Sequence, residues 1–344
     1  MKAIAKTKAQ QGLEIVDRNI PQIKADEVLL KVSAAGICGS DLHINEWSSG
    51  YEWLAPYLPT VLGHEFSGIV AGGCERGDKL AIGDKVICMP IKPCMTCWYC
   101  LRGKHNLCAD KKTIGLHHPG AFTEYVAVPK TNCYKMDDDL NMEVAALAEP
   151  LAIATNAVLN ETITIGDTVA IMGPGTIGLL IALLSKRSGA SKVLLAGLST
   201  DQKRLKIGES LGVDITVTVD KQNLGEIVAD VTHGLGADHV FEASGSRKAL
   251  EGSLSLARKG GSINLVGIHS QQVEIDPNNL VRQEKRIIGS YSYSSKIWQK
   301  VKPMLSESAG ELSALITHRF SVESGIHGFE VAKTPEALKV LIIP

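Results

Sequence analysis

The sequence carries almost no charge imbalance: 36 Lys and Arg stand against 37 Asp and Glu, a net charge of −1. No run of basic residues exceeds two. Polyanions therefore meet no long-range attractive field, and nucleic-acid binding is disfavoured. An apolar segment behind Met1-Lys2-Ala3-Ile4-Ala5-Lys6 is also missing, so no secretory signal is expected and a cytoplasmic protein is the default. The longest apolar stretch, Thr168 to Leu184, is cut by Gly173-Pro174-Gly175, which argues against a membrane span of ~20 residues. Internal repeats, low-complexity tracts and long linkers are lacking too.

What remains is a chain of 344 residues, 44% hydrophobic, with 33 Gly and eight Cys. At roughly 150 residues per domain this is about two domains, each able to bury a core. Eight cysteines in a chain without a signal are expected to stay reduced, so their spacing points to metal or catalysis.

Residues 1 to about 150 show short Val/Ile/Leu runs broken by Gly and Pro, the pattern of an irregular β-rich domain. From about 163 the rhythm changes. Strands at 168–172, 192–196, 214–219, 238–243, 261–267 and 285–290 are predicted, with helices at 175–188, 200–211, 224–232 and 246–258. Alternating strand and helix imply an α/β fold with a doubly wound parallel sheet. The last fifty or so residues are too few for a domain, and their apolar run Val340 to Ile343 reads as a strand packing back onto the first domain.

Gly173-Pro174-Gly175-Thr176-Ile177-Gly178 is a G-x-G-x-x-G between an apolar strand and an apolar helix, a strong dinucleotide signature in that setting. Its glycines permit a tight turn, close approach of a pyrophosphate and close helix–strand packing. Twenty residues on, the next strand ends in Gly197 where NAD would meet a carboxylate, and Ser199, Lys203 and Arg204 follow. That tilts the choice between NADP and NAD toward NADP, although basic side chains there are equally ordinary as solvated helix residues.

Cys94, Cys97, Cys100 and Cys108 form C-x2-C-x2-C-x7-C, which suits a closed tetrahedral structural zinc better than an iron–sulfur cluster. Cys74, Cys88 and Cys133 read as small buried hydrophobes. A second, scattered set comprises Cys38 in Gly36-Ile37-Cys38-Gly39-Ser40-Asp41-Leu42-His43, then Gly63-His64-Glu65, then Ala148-Glu149-Pro150. Together these offer S, N and O ligands that leave one coordination position open.

In this combination and order the motifs resemble the zinc-dependent medium-chain alcohol dehydrogenases, nearest the polyol (sorbitol-like) and threonine dehydrogenase branches. The resemblance implies a GroES-like catalytic domain over 1–153, a Rossmann domain over 154–290 and a segment 291–344 completing the first. It implies two zinc ions per subunit, the catalytic one held by Cys38, His64 and either Glu65 or Glu149, and a homotetramer or homodimer. The implied reaction moves a hydride between a secondary alcohol, a polyol or sugar derivative, and NAD(P). Ser40 and His43 are then the proton relay, and Asp41 orients the His64 ring. The alternatives are amino-alcohol oxidation of the threonine type, a zinc-free quinone or enoyl reductase, and a non-catalytic zinc-ribbon protein. The joint presence of Cys38, His64 and Glu65 argues against the reductase, and the near-neutral charge with an intact dinucleotide turn argues against the ribbon. Ser292 stands where polyol dehydrogenases usually carry a substrate-binding Arg, which puts recognition of a sorbitol-like chain in doubt. The segment Asn45 to Tyr57 is aromatic, with Trp47, Tyr51, Trp53 and Tyr57; such a wall suits a sugar or cyclic polyol, or equally loop packing or a subunit contact.

Overall fold

The computed structural model describes residues Met1–Pro344. Contacts divide the chain into one unit of Met1–Glu149 with Tyr293–Pro344 and a second of Pro150–Ser292.

The first unit is built on a mixed, mainly antiparallel sheet in the order Cys133–Lys135, Lys85–Cys88, Glu65–Gly72, Glu27–Gly36, Lys339–Ile342, Ile316–Phe320. Tyr125–Pro129 also pairs with Glu27–Gly36. A small sheet of Glu14–Asp17, Lys2–Lys6 and Thr60–Val61 lies beside it. The alternation of Glu27–Gly36 sends Val28, Leu30 and Val32 into the core that they share with Phe66, Phe122 and Phe329. The final strand pairs antiparallel with Glu27–Gly36 through Leu341 and Ile342, so residues from opposite ends of the sequence are neighbours at one place. Helices are more frequent in this unit than the sequence rhythm suggested. Gly39–Glu46 follows the long strand directly, and Ser295–Glu307 and Gly325–Ala332 lie in the terminal segment.

The second unit is a six-stranded, wholly parallel sheet in the order Ile215–Thr218, Lys192–Gly197, Thr168–Met172, Ala237–Glu242, Ala257–Leu265, Arg286–Gly289. This is the expected doubly wound architecture, with the strand order reversing beside Thr168–Met172. All five residues of that central strand are buried, because helices cover both faces. Two details differ from the periodicity. The helix predicted to reach 258 ends at Leu256, and the strand begins at once with Ala257 in an extended conformation. A helix at Pro277–Gln283, between the last two strands, escaped the sequence reading. It spans only seven residues, too few to show an apolar period, and its signal is local: Asp276 caps it by accepting from the Asn278 N–H, and Pro277 occupies the first turn.

A buried polar network holds one end of this sheet. His239 places Nδ1 3.1 Å from Glu161 Oε2 and 2.9 Å from Ser262 Oγ, and Nε2 3.2 Å from Asp167. Asn264 donates to Glu161 at 3.1 Å. Burial opposes charge on His239, but the two carboxylates outweigh it and raise its pKa, while Glu161 and Asp167 are lowered against their own burial. A histidine whose pKa rises on folding stabilises the fold fully below its unfolded value, about pH 6.5, and loses that contribution as pH climbs through the raised value. His239→Gln is accordingly expected to cost about 1–3 kcal/mol at about pH 6 and progressively less toward about pH 9. Thermal melts across that range test this, and a gap that widens with pH would contradict it.

Candidate metal centre and dinucleotide turn

The strand Glu27–Gly36 delivers the chain to Cys38, which precedes the helix Gly39–Glu46 in an extended conformation. The Cys38 backbone N–H donates to Asp41 Oδ2 at 3.0 Å, so Asp41 fixes the turn on which the thiol sits. His64 and Glu65 arrive from the neighbouring strand Glu65–Gly72, whose Glu65 is in register with Gly36. Sheet pairing thereby brings Cys38, His64 and Glu65 together, their ligand atoms all within 4.8 Å of one another. Ligands on a tetrahedral zinc with bonds of 2.0–2.3 Å would stand about 3.3–3.8 Å apart, so the cluster fits such an ion. Glu149, the other candidate carboxylate, lies outside that group and is buried.

The surroundings favour a cation. Asp41 is wholly buried and places Oδ1 3.6 Å from His64 Nδ1, and neither atom has a hydrogen-bond partner. Ser40 Oγ stands 3.4 Å from the other ring nitrogen, Nε2. Burial works against a charged His64, but Asp41 and Cys38 outweigh it and raise its pKa well above the usual value. Burial pushes Glu149 up to about 7, with His64 pulling it down and Glu65 adding to the rise.

One residue of this centre escaped the sequence reading. Lys339, 3% exposed, donates to Glu65 Oε2 at 2.5 Å and to the Ile37 carbonyl at 3.1 Å. The apolar run Val340 to Ile343 had been the visible signal, and the one charged residue immediately before it is the clue that was available. Gly36 makes room for the pair, since a Cβ there would overlap Glu65 Oε2.

The second cysteine cluster is closed. Cys94, Cys97, Cys100 and Cys108 lie within 4.8 Å of one another, and all four are free thiols. Backbone N–H groups of Thr96 and Cys97 hold the Cys94 thiol at about 6, Cys97 is lowered in the same way, and burial drives Cys100 up to about 12. N–H groups aimed at sulfur favour the thiolate a metal requires. His105 on this lobe binds Ser295 Oγ at 2.9 Å, which ties the lobe to the helix Ser295–Glu307.

In the second unit, Gly173 adopts φ 108° after the buried strand, and a Cβ on Gly178 would overlap the Gly173 carbonyl oxygen. Gly175 heads the helix Thr176–Arg187 with no side chain capping it and open space at its Cβ position. A helix start without a side-chain cap leaves its first N–H groups available, which fits a pyrophosphate. Gly197 ends the next strand against Pro174 and the Asp201 side chain, so the strand itself contributes no carboxylate. Ser199 gives its N–H and hydroxyl to Asp220, at 2.7 and 2.5 Å, and Arg204 pairs with Asp201 at 3.1 Å.

Comparison with known proteins bears on the same residues. Residues 24–138 match the alcohol dehydrogenase GroES-like domain and residues 176–307 the zinc-binding dehydrogenase domain. The chain is 35% identical over 350 residues to L-threonine 3-dehydrogenase of Bacillus subtilis, covering 100% of this chain and 99% of that one. It is 33% identical over 347 residues to sorbitol dehydrogenase of Halalkalibacterium halodurans, covering 100% and 99%. Its structure aligns with a zinc-binding dehydrogenase from Sinorhizobium meliloti bound to NADP, with a TM-score of 0.91 at 30% identity and coverage of 100% and 99%. With both family segments in order and relatives matched from end to end, the chain belongs to the zinc-dependent medium-chain alcohol dehydrogenases.

Proposed function

We propose that the protein oxidises a secondary alcohol, of the polyol or sugar-derivative class, with NADP as the preferred acceptor and NAD as the alternative. The observation that carries this is the convergence of Cys38, His64 and Glu65 within 4.8 Å in a chain that also holds the glycine turn. In this reading Cys38, His64 and Glu65 hold the catalytic metal, and Cys94, Cys97, Cys100 and Cys108 hold a structural one. When bound, zinc supplies a Lewis acid that lowers the pKa of an alcohol hydroxyl, and the nicotinamide supplies the hydride acceptor.

The chain's own residues do the rest. Asp41 faces His64 Nδ1 and so would leave Nε2, which stands beside Ser40, as the nitrogen to hold the metal. Ser40 Oγ, 3.4 Å from Nε2, receives the hydroxyl proton, and His43, one helical turn on, passes it to solvent. Lys339 balances Glu65 and keeps it in place. Glu149 is held in reserve as a buried carboxylate near neutrality beside the same cluster. Gly173, Gly175 and Gly178 shape the turn that takes the pyrophosphate, and Ser199 and Arg204 turn from Asp220 and Asp201 to a 2′-phosphate beyond Gly197.

No helix is long and apolar enough to cross a membrane, and a cytoplasmic setting belongs to the same proposal. A homo-oligomer, a tetramer or dimer, belongs to the same proposal. Arg286–Gly289 ends its sheet with an open edge, and Val281 and Ile268 are 76% and 62% exposed.

Cys38→Ser is expected to remove one metal per chain and lower activity by more than about a hundredfold, beyond the 10–100-fold typical of losing a residue that only orients a ligand. Full metal and activity in that variant would exclude the assignment. Lys339→Met strands a buried carboxylate and is expected to cost about 3–5 kcal/mol in chelated protein, and less in zinc-loaded protein where the ion supplies the missing positive charge. Denaturant melts with and without zinc decide this; equal losses would contradict it. Arg204→Ala is expected to raise KM for NADP and leave KM for NAD within about twofold, and parallel changes in steady-state titrations would remove the phosphate contact.

A further inference from the structure

Five rings form a continuous row that begins on the helix bearing Ser40. His43 stacks on Tyr51, with centroids 5.7 Å apart and planes at 19°. Tyr51 lies 6.5 Å from Trp53, and Trp53 stacks on His117 at 5.0 Å and 23°. Tyr57 meets His117 edge-on at 4.7 Å. His43 follows Ser40 by three residues, so both lie on one face of Gly39–Glu46 and the row starts beside the proposed proton path.

The far end of the row is rigid. The Thr113 backbone N–H donates to His117 Nδ1 at 3.2 Å, which places the ring proton on Nε2. Burial, with Lys112 adding to it, drives the His117 pKa down to about 4, so the ring is neutral and Nε2–H is a directional donor. Lys112 anchors Tyr57 from behind, donating to its hydroxyl at 3.1 Å while pairing with Asp110 at 2.9 Å. Trp53 meanwhile remains 42% exposed, although stacked on one side.

We propose that the exposed face of Trp53, backed by the stacked His117 ring, is a platform on which a ring substrate lies, so that the preferred alcohol is a cyclic polyol or a pyranose and not an open-chain polyol. This rests on reading the Cys38 cluster as an alcohol-oxidising site. A six-membered polyol ring presents C–H groups on a flat face, which an aromatic surface attracts, while its hydroxyls point to the rim where His117 Nε2–H can donate. An open-chain polyol carries hydroxyls all around a flexible backbone and must lose more torsional freedom to lie on a flat wall. In the reaction the ring CH–OH becomes a ring ketone: the hydride goes to the nicotinamide, the hydroxyl proton leaves through Ser40 and His43, and NADP is the oxidant.

The test compares myo-inositol, scyllo-inositol and methyl β-D-glucopyranoside with sorbitol, galactitol and 2,3-butanediol on the zinc-loaded enzyme. The expected result is a kcat/KM for at least one ring substrate tenfold or more above both hexitols. In Trp53→Ala and His117→Ala the ratio of ring to butanediol kcat/KM falls at least tenfold, through KM, and Trp53→Phe restores it. A preference for a hexitol, or a ratio that neither alanine variant moves, overturns the platform. If no alcohol, butanediol included, is oxidised, the dehydrogenase reading fails separately. Calorimetry of the ring polyols then decides the platform alone: binding lost in Trp53→Ala supports it, and absence of binding to the unaltered protein overturns it.

Discussion

The ion pair between Lys339 and Glu65 is the constraint on which the metal centre depends. Both side chains are almost wholly excluded from water, at 4% and 2% exposure, and each is tolerable there only because of the other. Glu65 begins a strand directly after His64, and Lys339 begins the last strand of the chain, so the pair forms only when the terminal segment has returned to the first unit's sheet. Placement of a candidate ligand carboxylate is in this way tied to completion of the fold. Gly36 leaves the space for that pair and lies two residues before Cys38, so the same backbone serves the charge pair and the thiol.

The two clusters of ligands are built on opposite plans. Four cysteines within fifteen residues are gathered by local turns and by N–H groups aimed at sulfur, and they can satisfy a tetrahedral ion completely. Cys38, His64 and Glu65 come instead from separate stretches and are gathered by strand pairing, and three such ligands would leave a fourth position of a tetrahedral ion open. Asp41 links backbone geometry to electrostatics in the second case. One carboxylate oxygen fixes the Cys38 turn and the other faces His64. Local geometry gives a closed site, and long-range geometry gives an open one.

How much of this could be read from residues alone follows the same division. The parallel sheet was legible because its strands and helices alternate with different apolar periods, and the glycine turn was legible because three positions must lack a side chain. The four-cysteine lobe was visible from spacing. For the scattered set, ligand chemistry suggested the grouping and likeness to a known family gave it a role as one metal site, since sequence separation says nothing of strand register. That likeness left Glu65 and Glu149 as equals, whereas the structure gathers Glu65 into the group and not Glu149. Lys339 was invisible because a lone lysine before a buried strand is ordinarily a solvated flank. The short helix Pro277–Gln283 was missed because two turns carry no measurable period, and Ser199 and Arg204 were seen as residues without their carboxylate partners Asp220 and Asp201.

An open metal site and a closed one on the same chain would differ in accessibility and in consequence. Timed chelation followed by metal analysis tests this directly. Two zinc ions per chain are expected, one lost early together with alcohol oxidation and one retained by the four-cysteine lobe until the first unit unfolds. A single zinc per chain, or two lost in step with no separation from activity, would contradict it.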